Sequence, residues 1–283
     1  MNESKVDDIC KSILKNRNLW IGIVLSFIMF FLGLLSLFWT PFSVEVMDIP
    51  NKLEGASSKH WLGTDHFGRD IFSMLMVGAL NSMVVSLFAI TLGSAIGIPL
   101  GILSASKEGW VEEILMRFND FAFAFPALLT AVMLSAVYGP GTINSILAIG
   151  IFNIPVFARI SRGNALSIYK RDFIMASRVA GKNEIQIAIE HIFPNISSAL
   201  IVQATIQFAL GILAESGLSY LGLGTQPPNP SWGKMLSEAQ TMMFFAPQLA
   251  IIPGLTIVIT VLGLNLLGDG LRDVLDPRLR RLH

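Results

Sequence analysis

The stretch "KRDFIMASRVAGKNEIQIAIEHIFPN", residues 170–195, is a charged segment that lies between two long apolar runs. Lys, Arg, Asp and Glu occupy seven of its 26 positions, against 14% of the chain as a whole. Residues 173–180 contain helix formers and no proline, and Gly181 then offers the left-handed backbone conformation that closes many helices. The segment is therefore predicted to begin with a short helix that ends in a bend at Gly181.

A second short helix is predicted after this bend. Asn183 is a suitable N-cap, and Gln186 three residues later completes a capping-box pattern. Pro194 is predicted to end this helix. Three isoleucines at helical spacing predict one apolar face: Ile185, Ile189 and Ile192. Periodicity alone is equally consistent with a pair of amphipathic helices that lie on a membrane surface.

The apolar runs along the chain are long enough to cross a bilayer. A hydrocarbon core about 30 Å thick needs about 20 mainly apolar residues in a helix, because each unpaired backbone group in lipid costs several kcal/mol. Two runs are short and contain Pro126, Asn153 and Pro155, so these two are predicted to be kinked or packed inside the bundle. Six spans are predicted, at residues 19–39, 84–105, 121–138, 143–160, 196–213 and 249–267.

The composition supports the same fold class, an all-α membrane protein with about six transmembrane helices. Apolar residues make up 53% of the 283 positions, and the charged fraction of 14% is well below the roughly 25% of soluble domains. The net charge of zero provides no field that would attract nucleic acid. The four histidines lack metal-ligand spacing and are interpreted as ordinary polar or surface residues: His60, His66, His191 and His283. No metal or cofactor is expected.

The distribution of basic residues predicts the orientation in the membrane. If the N-terminus is inside, 16 of the 20 lysines and arginines fall on the cytoplasmic side, and the outer loops keep Lys52, Lys59, Arg69 and Lys234. Cytoplasmic loops carry such an excess of positive charge. Both termini and residues 170–195 are therefore predicted to be cytoplasmic. The first span is interpreted as an uncleaved anchor, since its apolar run is too long for a signal peptide.

The order of features in residues 170–195 resembles the signature loop of ABC importer permeases. In that family an acidic-Ala-Ala box precedes a glycine and, further on, an isoleucine-x-leucine-proline ending. The box is read here as "MAS", residues 175–177, and the ending as "HIFP". The departure is Met175, where the family usually has glutamate. The resemblance implies that this loop is a coupling helix seated in a groove of a partner ATPase, with these residues involved: Asp172, Phe173, Ile174, Met175, Ala176, Ser177, Gly181 and Pro194.

Three further blocks are similar to the C-type permease subunit of oligopeptide, dipeptide and nickel importers. They read "WLGTDHFGRDIFSMLMVGALNS" (residues 61–82), "GLSYLGLGTQPPNPSWGKML" (residues 217–236) and "PGLTIVITVLGLNLLGDGLRDVLDPRLR" (residues 253–280). The resemblance implies a type I importer permease fold in a bacterial inner membrane. It also implies a second permease subunit, two ATPase subunits and an extracytoplasmic solute-binding protein as partners, and short peptides as substrates. A nickel chelate or another small solute remains an alternative.

These blocks and spans together give predicted boundaries for the chain. Residues 1–18 are a cytoplasmic segment, 19–40 the first membrane helix, 41–82 an outer loop, 83–271 a five-helix core that includes the coupling loop 163–195, and 272–283 a cytoplasmic tail. Trp61 and Trp232 are predicted to lie at headgroup level, where tryptophan is enriched.

The sequence contains no enzyme motif. No G-x-x-x-x-G-K-[ST] occurs, so ATP must be hydrolysed by a partner subunit. An ion-coupled secondary transporter and a non-transporting membrane scaffold are the alternative classes. The transporter would require intramembrane ionisable residues and an internal repeat. Polar residues within the spans either line a solute path or join helices by hydrogen bonds: Gln203, Gln207, Glu215 and Asn265.

Overall fold

The computed structural model describes residues 16–107, 109–123 and 125–275, and its regular elements are helices, with one isolated bridge between Thr64 and Asp70. A π-helical turn occupies Ala188–Ile192, and short 3-10 turns occupy Ile49–Asn51 and Gln240–Met242. The α-helices in this part of the chain are α1 (Arg17–Leu35), α2 (Ile71–Ser106), α3 (Trp110–Phe123), α4 (Ala127–Tyr138), α5 (Thr142–Tyr169), α6 (Asp172–Val179), α7 (Glu184–Ile187), α8 (Phe193–Tyr220), α9 (Trp232–Ala239) and α10 (Gln248–Leu275).

The predicted fold class of about six membrane helices is confirmed. Among the described residues, α3 and α4 meet at 76° across a short break and make one further span when they are counted together. Five helical units are each long and apolar enough to cross a bilayer: Arg17–Leu35, Ile71–Ser106, Thr142–Tyr169, Glu184–Tyr220 and Gln248–Leu275.

The two short predicted spans have different structures. The third is broken, because Pro126 lies outside helical conformation at ψ 141° just before α4, and proline disfavours helix in the residue before it. The fourth belongs to the continuous helix α5, in which Asn153 and Pro155 are buried. One short span is thus kinked, and the other is packed inside the bundle.

Helix α2 begins 13 residues before the predicted start of its span at residue 84. Asp70 caps it, since its carboxylate accepts hydrogen bonds from the backbone N–H and the hydroxyl of Ser73 at 2.8 and 2.7 Å. A helix of 36 residues is about 54 Å long, well beyond a hydrocarbon core of about 30 Å. The assignment of residues 41–82 to an outer loop stays a prediction, and the last 12 of those residues are helical.

Close packing of α2 on α5 forms the centre of the bundle. Gly93, Gly97 and Gly101 recur every four residues along α2, and a Cβ atom at each would collide with α5 at Asn153, Ile154 and Ala158. Lipid is as apolar as the side chains, so helices in a membrane associate through such close van der Waals contact of small residues.

Helix α1 changes neighbours along its length. Near its C-terminal end, Gly33 packs against the backbone of α2 at Leu80. Near its N-terminal end, Gly22 packs against α10 at Leu267. The helix therefore starts on α10 and ends on α2, which leaves the C-terminal half of α2 without α1 as a neighbour.

Candidate coupling site and buried polar residues

Helix α6 closes in a Schellman motif at Gly181, as the sequence predicts. Gly181 has φ +85°, and its N–H donates to the carbonyl of Arg178 at 3.0 Å. The N–H of Lys182 donates to the carbonyl of Ser177 at 3.1 Å. These two bonds satisfy carbonyls at the helix end, and the positive φ is one that glycine adopts without strain.

The predicted capping box at the start of α7 is also present. The side chain of Asn183 accepts a hydrogen bond from the backbone N–H of Gln186 at 2.8 Å, and the side chain of Gln186 accepts one from the N–H of Asn183 at 3.0 Å. The pair of short helices with a bend between them is thus the structure of this segment.

The prediction that Pro194 ends the second helix is wrong. Pro194 is the second residue of α8, and the helical path continues to Tyr220. The N–H of Phe193 bonds to the carbonyl of Ala188, five residues back, which widens the coil ahead of the proline. This π-helical turn accommodates the proline within a unit that runs from Glu184 to Tyr220.

The same π-helical turn overturns the predicted apolar face of the three isoleucines. Ile185 and Ile189 are strongly exposed, whereas Ile192 is fully buried. The extra residue in the turn rotates the later positions relative to the earlier ones. Regular 3.6-residue spacing, on which the prediction rested, does not hold across this turn.

Side chains join the two helices across the bend at Gly181. Arg178 Nε donates to Glu184 Oε1 at 2.8 Å. The Oγ atom of Ser177 lies 3.2 Å from Nε2 of His191. Two further contacts are the ion pair of Lys182 with Glu190 and the edge-on ring contact of Phe173 with His191. Helix α6 is therefore joined to α7 by one ion pair and to the π-helical turn by contacts with His191.

The predicted coupling residues fall into two groups by burial. Ile174 is fully buried in the chain's own core, next to the buried Ile187, so it anchors α6 and is not available to another protein. Met175 is 59% exposed and Val179 is 90% exposed. Ser177 is half-buried, and the other predicted residues are exposed: Asp172, Phe173, Ala176, Gly181 and Pro194.

Glu215, one of the candidate solute-path residues, is fully buried inside the chain. Its carboxylate accepts hydrogen bonds from the hydroxyls of Ser82 on α2 and Ser219 on α8, both at 2.6 Å. The hydroxyl of Thr225, in the segment after α8, lies 3.4 Å away. Glu215 thus joins α2, α8 and the following segment, which is the alternative role that the sequence leaves open for such residues.

The other three candidate path residues differ in exposure. Gln207 is buried, Gln203 is half-buried one turn before it on α8, and Asn265 on α10 is exposed. No single surface of this chain brings all four residues together, since Glu215 is enclosed and Asn265 faces outward. Their assignment to a solute path remains a prediction.

Two charged clusters at the start of α2 have no counterpart in the sequence analysis. His60 is buried and its Nδ1 lies 2.9 Å from Asp70, so it is not a surface histidine. Arg69 pairs with Asp65 and Glu238 at 2.6 Å each. Burial alone would lower the pKa of Arg69, but the two carboxylates outweigh it and raise that pKa. Glu238 lies far from Arg69 in the chain, so no local sequence pattern predicts this contact.

Trp232 is packed inside the bundle, and its predicted depth at headgroup level stays a prediction. Its side chain is fully buried, and its indole Nε1 donates to the carbonyl of Leu75 at 3.1 Å. This contact packs α9 on α2. Trp61 is 57% exposed, so its predicted position at the membrane edge stands as an expectation.

The fold and the loop define a class of transport protein, and comparison with known families agrees. Residues 97–281 match the model of the family described as "Binding-protein-dependent transport system inner membrane component". The chain belongs to this family. It is the membrane permease subunit of an ABC importer, and it has no ATPase site of its own.

Relatives of known name cover most of the chain. It is 44% identical over 248 residues to the glutathione transport system permease protein GsiD of Pectobacterium atrosepticum, which covers 86% of this chain and 82% of that protein. It is also 44% identical over 241 residues to GsiD of Escherichia coli O6:K15:H31, with 85% and 80% covered. The similarity to the peptide-importer permease subunits stated from sequence motifs is thereby confirmed.

Solved structures share the fold. Two inward-facing crystal forms of the MetNI methionine ABC transporter align with TM-scores of 0.57 and 0.60, at 19% identity in each case. The alignments cover 70% and 71% of this chain and 94% and 96% of the other chains. At this level of identity the likeness concerns the fold alone.

Proposed function

We propose that this permease subunit carries short peptides across the inner membrane and that residues 170–195 couple it to a partner ATPase. The coupling proposal rests on the exposed apolar side chains of this loop, which include Met175 and Val179. Ion pairs and capping bonds fix the backbone that carries these side chains. Exposed apolar patches of this kind mark protein interaction sites.

The proposed mechanism depends on one helical unit, Glu184–Tyr220, which begins in the loop and continues as a membrane span. ATP binding would close two ATPase domains, and α6 would move with the one that it contacts. The unit Glu184–Tyr220 would carry that movement across the membrane, because a helix with few breaks transmits displacement along its axis. At the far end, Glu215 joins this unit to Ser82 of α2. The spans then reopen toward the outer side to receive solute.

The proposed orientation places both termini and α6 in the cytoplasm. Its support is the division of the basic residues, with 16 of 20 on the inner side. The segments 36–70 and 221–247 then face outward, where a solute-binding protein would dock. A second permease chain would supply the other half of the path, and each of the two loops would contact one ATPase.

The substrate class rests on two lines of support. The sequence motifs resemble those of peptide importers, and the relatives are named as permeases for glutathione, itself a small peptide. Nickel chelates and other small solutes are the alternative substrates. An ion-coupled transporter would work without ATP, so ATP dependence separates it from this account.

Uptake by the reconstituted importer tests the proposal. The full complex, with a second permease, a binding protein and ATPases, would be placed in proteoliposomes and supplied with labelled dialanine, labelled glutathione or ⁶³Ni²⁺. We expect ATP-dependent uptake of a peptide and none of free nickel. Uptake of nickel alone would contradict the peptide assignment, and uptake without ATP would contradict the coupling mechanism.

A further inference from the structure

A groove of about 490 Å³ lies between the C-terminal half of α2 and the start of the Glu184–Tyr220 unit. Its walls are apolar along most of its length. On one side are Ala95, Ile98 and Ile102 of α2, and on the other are Ile189 and Phe193. Ile189 and Phe193 are strongly exposed, so the groove is open to the surroundings of the chain.

The path of α1 explains why this groove is open. The face of α2 that meets α1 at Leu80 continues at helical spacing to Ile98, 18 residues or about five turns further on. By that depth α1 has moved to α10, where Gly22 contacts Leu267. The groove is thus the continuation of a face of α2 that α1 covers near Leu80.

One end of the groove is polar. Ser106, Tyr169 and Glu184 line this end. The charge of Glu184 is already neutralised by its ion pair with Arg178, whose guanidinium lies 5.9 Å from the ring centre of Tyr169. The groove therefore has an apolar body and a polar end. Glu184 is the one carboxylate among its lining residues, and it is paired with Arg178.

Two lysines follow this polar end directly in the chain. Lys107 comes after Ser106 at the end of α2, and Lys170 comes after Tyr169 at the end of α5. Both are exposed, and neither forms an ion pair within the described residues. Cations at the C-terminal ends of helices are favourable, and the two lysines add positive charge directly after two residues that line the polar end of the groove.

We propose that the groove binds one phospholipid of the surrounding leaflet, with an acyl chain along Ile98 and Ile102 and an anionic headgroup against Lys107 and Lys170. An apolar channel with a basic mouth matches the amphipathic shape and charge of such a lipid. Because Ile189 belongs to the unit that joins α6 to α8, the bound lipid would contact the coupling segment itself. The inference rests on the proposed function only for the orientation, which makes this leaflet the cytoplasmic one.

Native mass spectrometry of the full-length chain tests this binding. The chain would be purified in detergent with an equal mixture of phosphatidylglycerol and phosphatidylcholine, and the retained lipid would be counted. We expect one retained lipid per chain, with phosphatidylglycerol preferred. Ala95 is exposed and lines the groove, so the larger side chain of Ala95→Trp should fill the groove and abolish lipid retention. The control Thr91→Trp, one turn away and outside the groove lining, should retain the lipid.

Charge variants test the headgroup contact. Each lysine near an anionic lipid surface favours binding by a factor of about five, so Lys107→Gln with Lys170→Gln should reduce the preference for phosphatidylglycerol by about 25-fold. The control, Lys52→Gln with Lys59→Gln, removes the same charge between α1 and α2 and should leave the preference unchanged. Equal retention of both lipids by the unaltered chain would overturn the headgroup assignment.

Two other results would contradict the proposal. Retention of phosphatidylglycerol by Ala95→Trp at the level of the unaltered chain would place the lipid elsewhere. In the assembled importer, a photocrosslinker at Ile189 should label lipid, and efficient labelling of the second permease would make the groove a protein interface. These measurements need no transport, so their failure is distinguishable from failure of the proposed import function.

Discussion

Arg178 and Glu184 form an ion pair across the turn at Gly181, with 2.8 Å between Nε and Oε1. A second ion pair joins Lys182, the residue after Gly181, to Glu190 in the π-helical turn. Each pair is well exposed, so each alone contributes little to stability. Together with the contacts of His191 with Ser177 and Phe173 they join α6 to α7 and to the π-helical turn. In the proposed mechanism a displacement of α6 would pass through these contacts to α8.

The first prediction is that loss of both ion pairs uncouples ATP hydrolysis from transport. Arg178→Ala or Lys182→Ala alone should change the free energy of unfolding by about 1 kcal/mol or less and leave uptake near normal. The double variant should keep ATP hydrolysis but lose most uptake, because only the contacts of Ser177 and Phe173 with His191 would then join α6 to the following helical unit. Arg117→Ala, which removes the exposed ion pair of α3 with Glu113, is the control. Full uptake by the double variant would show that the ion pairs do not transmit movement.

The second prediction concerns the backbone of Gly181. A Cβ atom there would meet no other atom within 4 Å, but φ is +85°, so the cost of Gly181→Ala is conformational, about 1–2 kcal/mol. The variant should insert normally and show weaker ATPase association in pull-down experiments. Gly163→Ala in α5 also meets no atom and should be neutral or slightly stabilising, because alanine favours helix. Equal effects of the two substitutions would mean that the bend at Gly181 is not required.

The third prediction concerns Glu215. Glu215→Ala leaves the buried hydroxyls of Ser82 and Ser219 without their acceptor, which costs about 1–3 kcal/mol in unfolding free energy. Glu215→Gln keeps one acceptor oxygen and should cost less. Asn265→Ala, at an exposed position, should be near neutral. Denaturant titration of the purified chains measures these differences. If Glu215→Ala left the unfolding free energy unchanged, Glu215 would not be a stabilising link between α2 and α8.

The fourth prediction is the orientation. Ser58 and Ser167 are both exposed, so accessibility within the protein does not favour either. In a Cys10→Ser background, Ser58→Cys should react with an impermeant thiol reagent in intact cells, whereas Ser167→Cys should react only after the membrane is opened. Labelling of Ser167→Cys from outside would reverse the assignment of the cytoplasmic side.

Local signals predicted the bend and the helix cap within residues 170–195. The bend at Gly181 and the capping box at Asn183 depend on neighbours in the chain, so the sequence was sufficient for both. Pro194 was misjudged because a π-helical turn has no simple sequence pattern, and the turn also placed Ile192 on a different side from Ile189.

Contacts between distant residues could not be predicted in the same way. The carboxylate of Glu215 meets Ser82, 133 positions away, and Trp232 is buried against Leu75, 157 positions away. Serine and tryptophan are compatible with many environments, so neither type identifies its partner without the packing of the helices. Pro126 was one of the residues that predicted a kinked or packed span, but no local pattern predicted the angle of 76° between α3 and α4.

The most direct test of the account is whether α6 contacts the ATPase. A photocrosslinking amino acid at Val179, the most exposed apolar position of α6 at 90%, would be introduced into the assembled importer, with the same group at Ser58 as the control. We predict a crosslinked product that contains the ATPase from Val179, altered in yield by ATP, and no such product from Ser58. An ATPase that copurifies with the chain but crosslinks from Ser58 and never from Val179 would contradict the central claim.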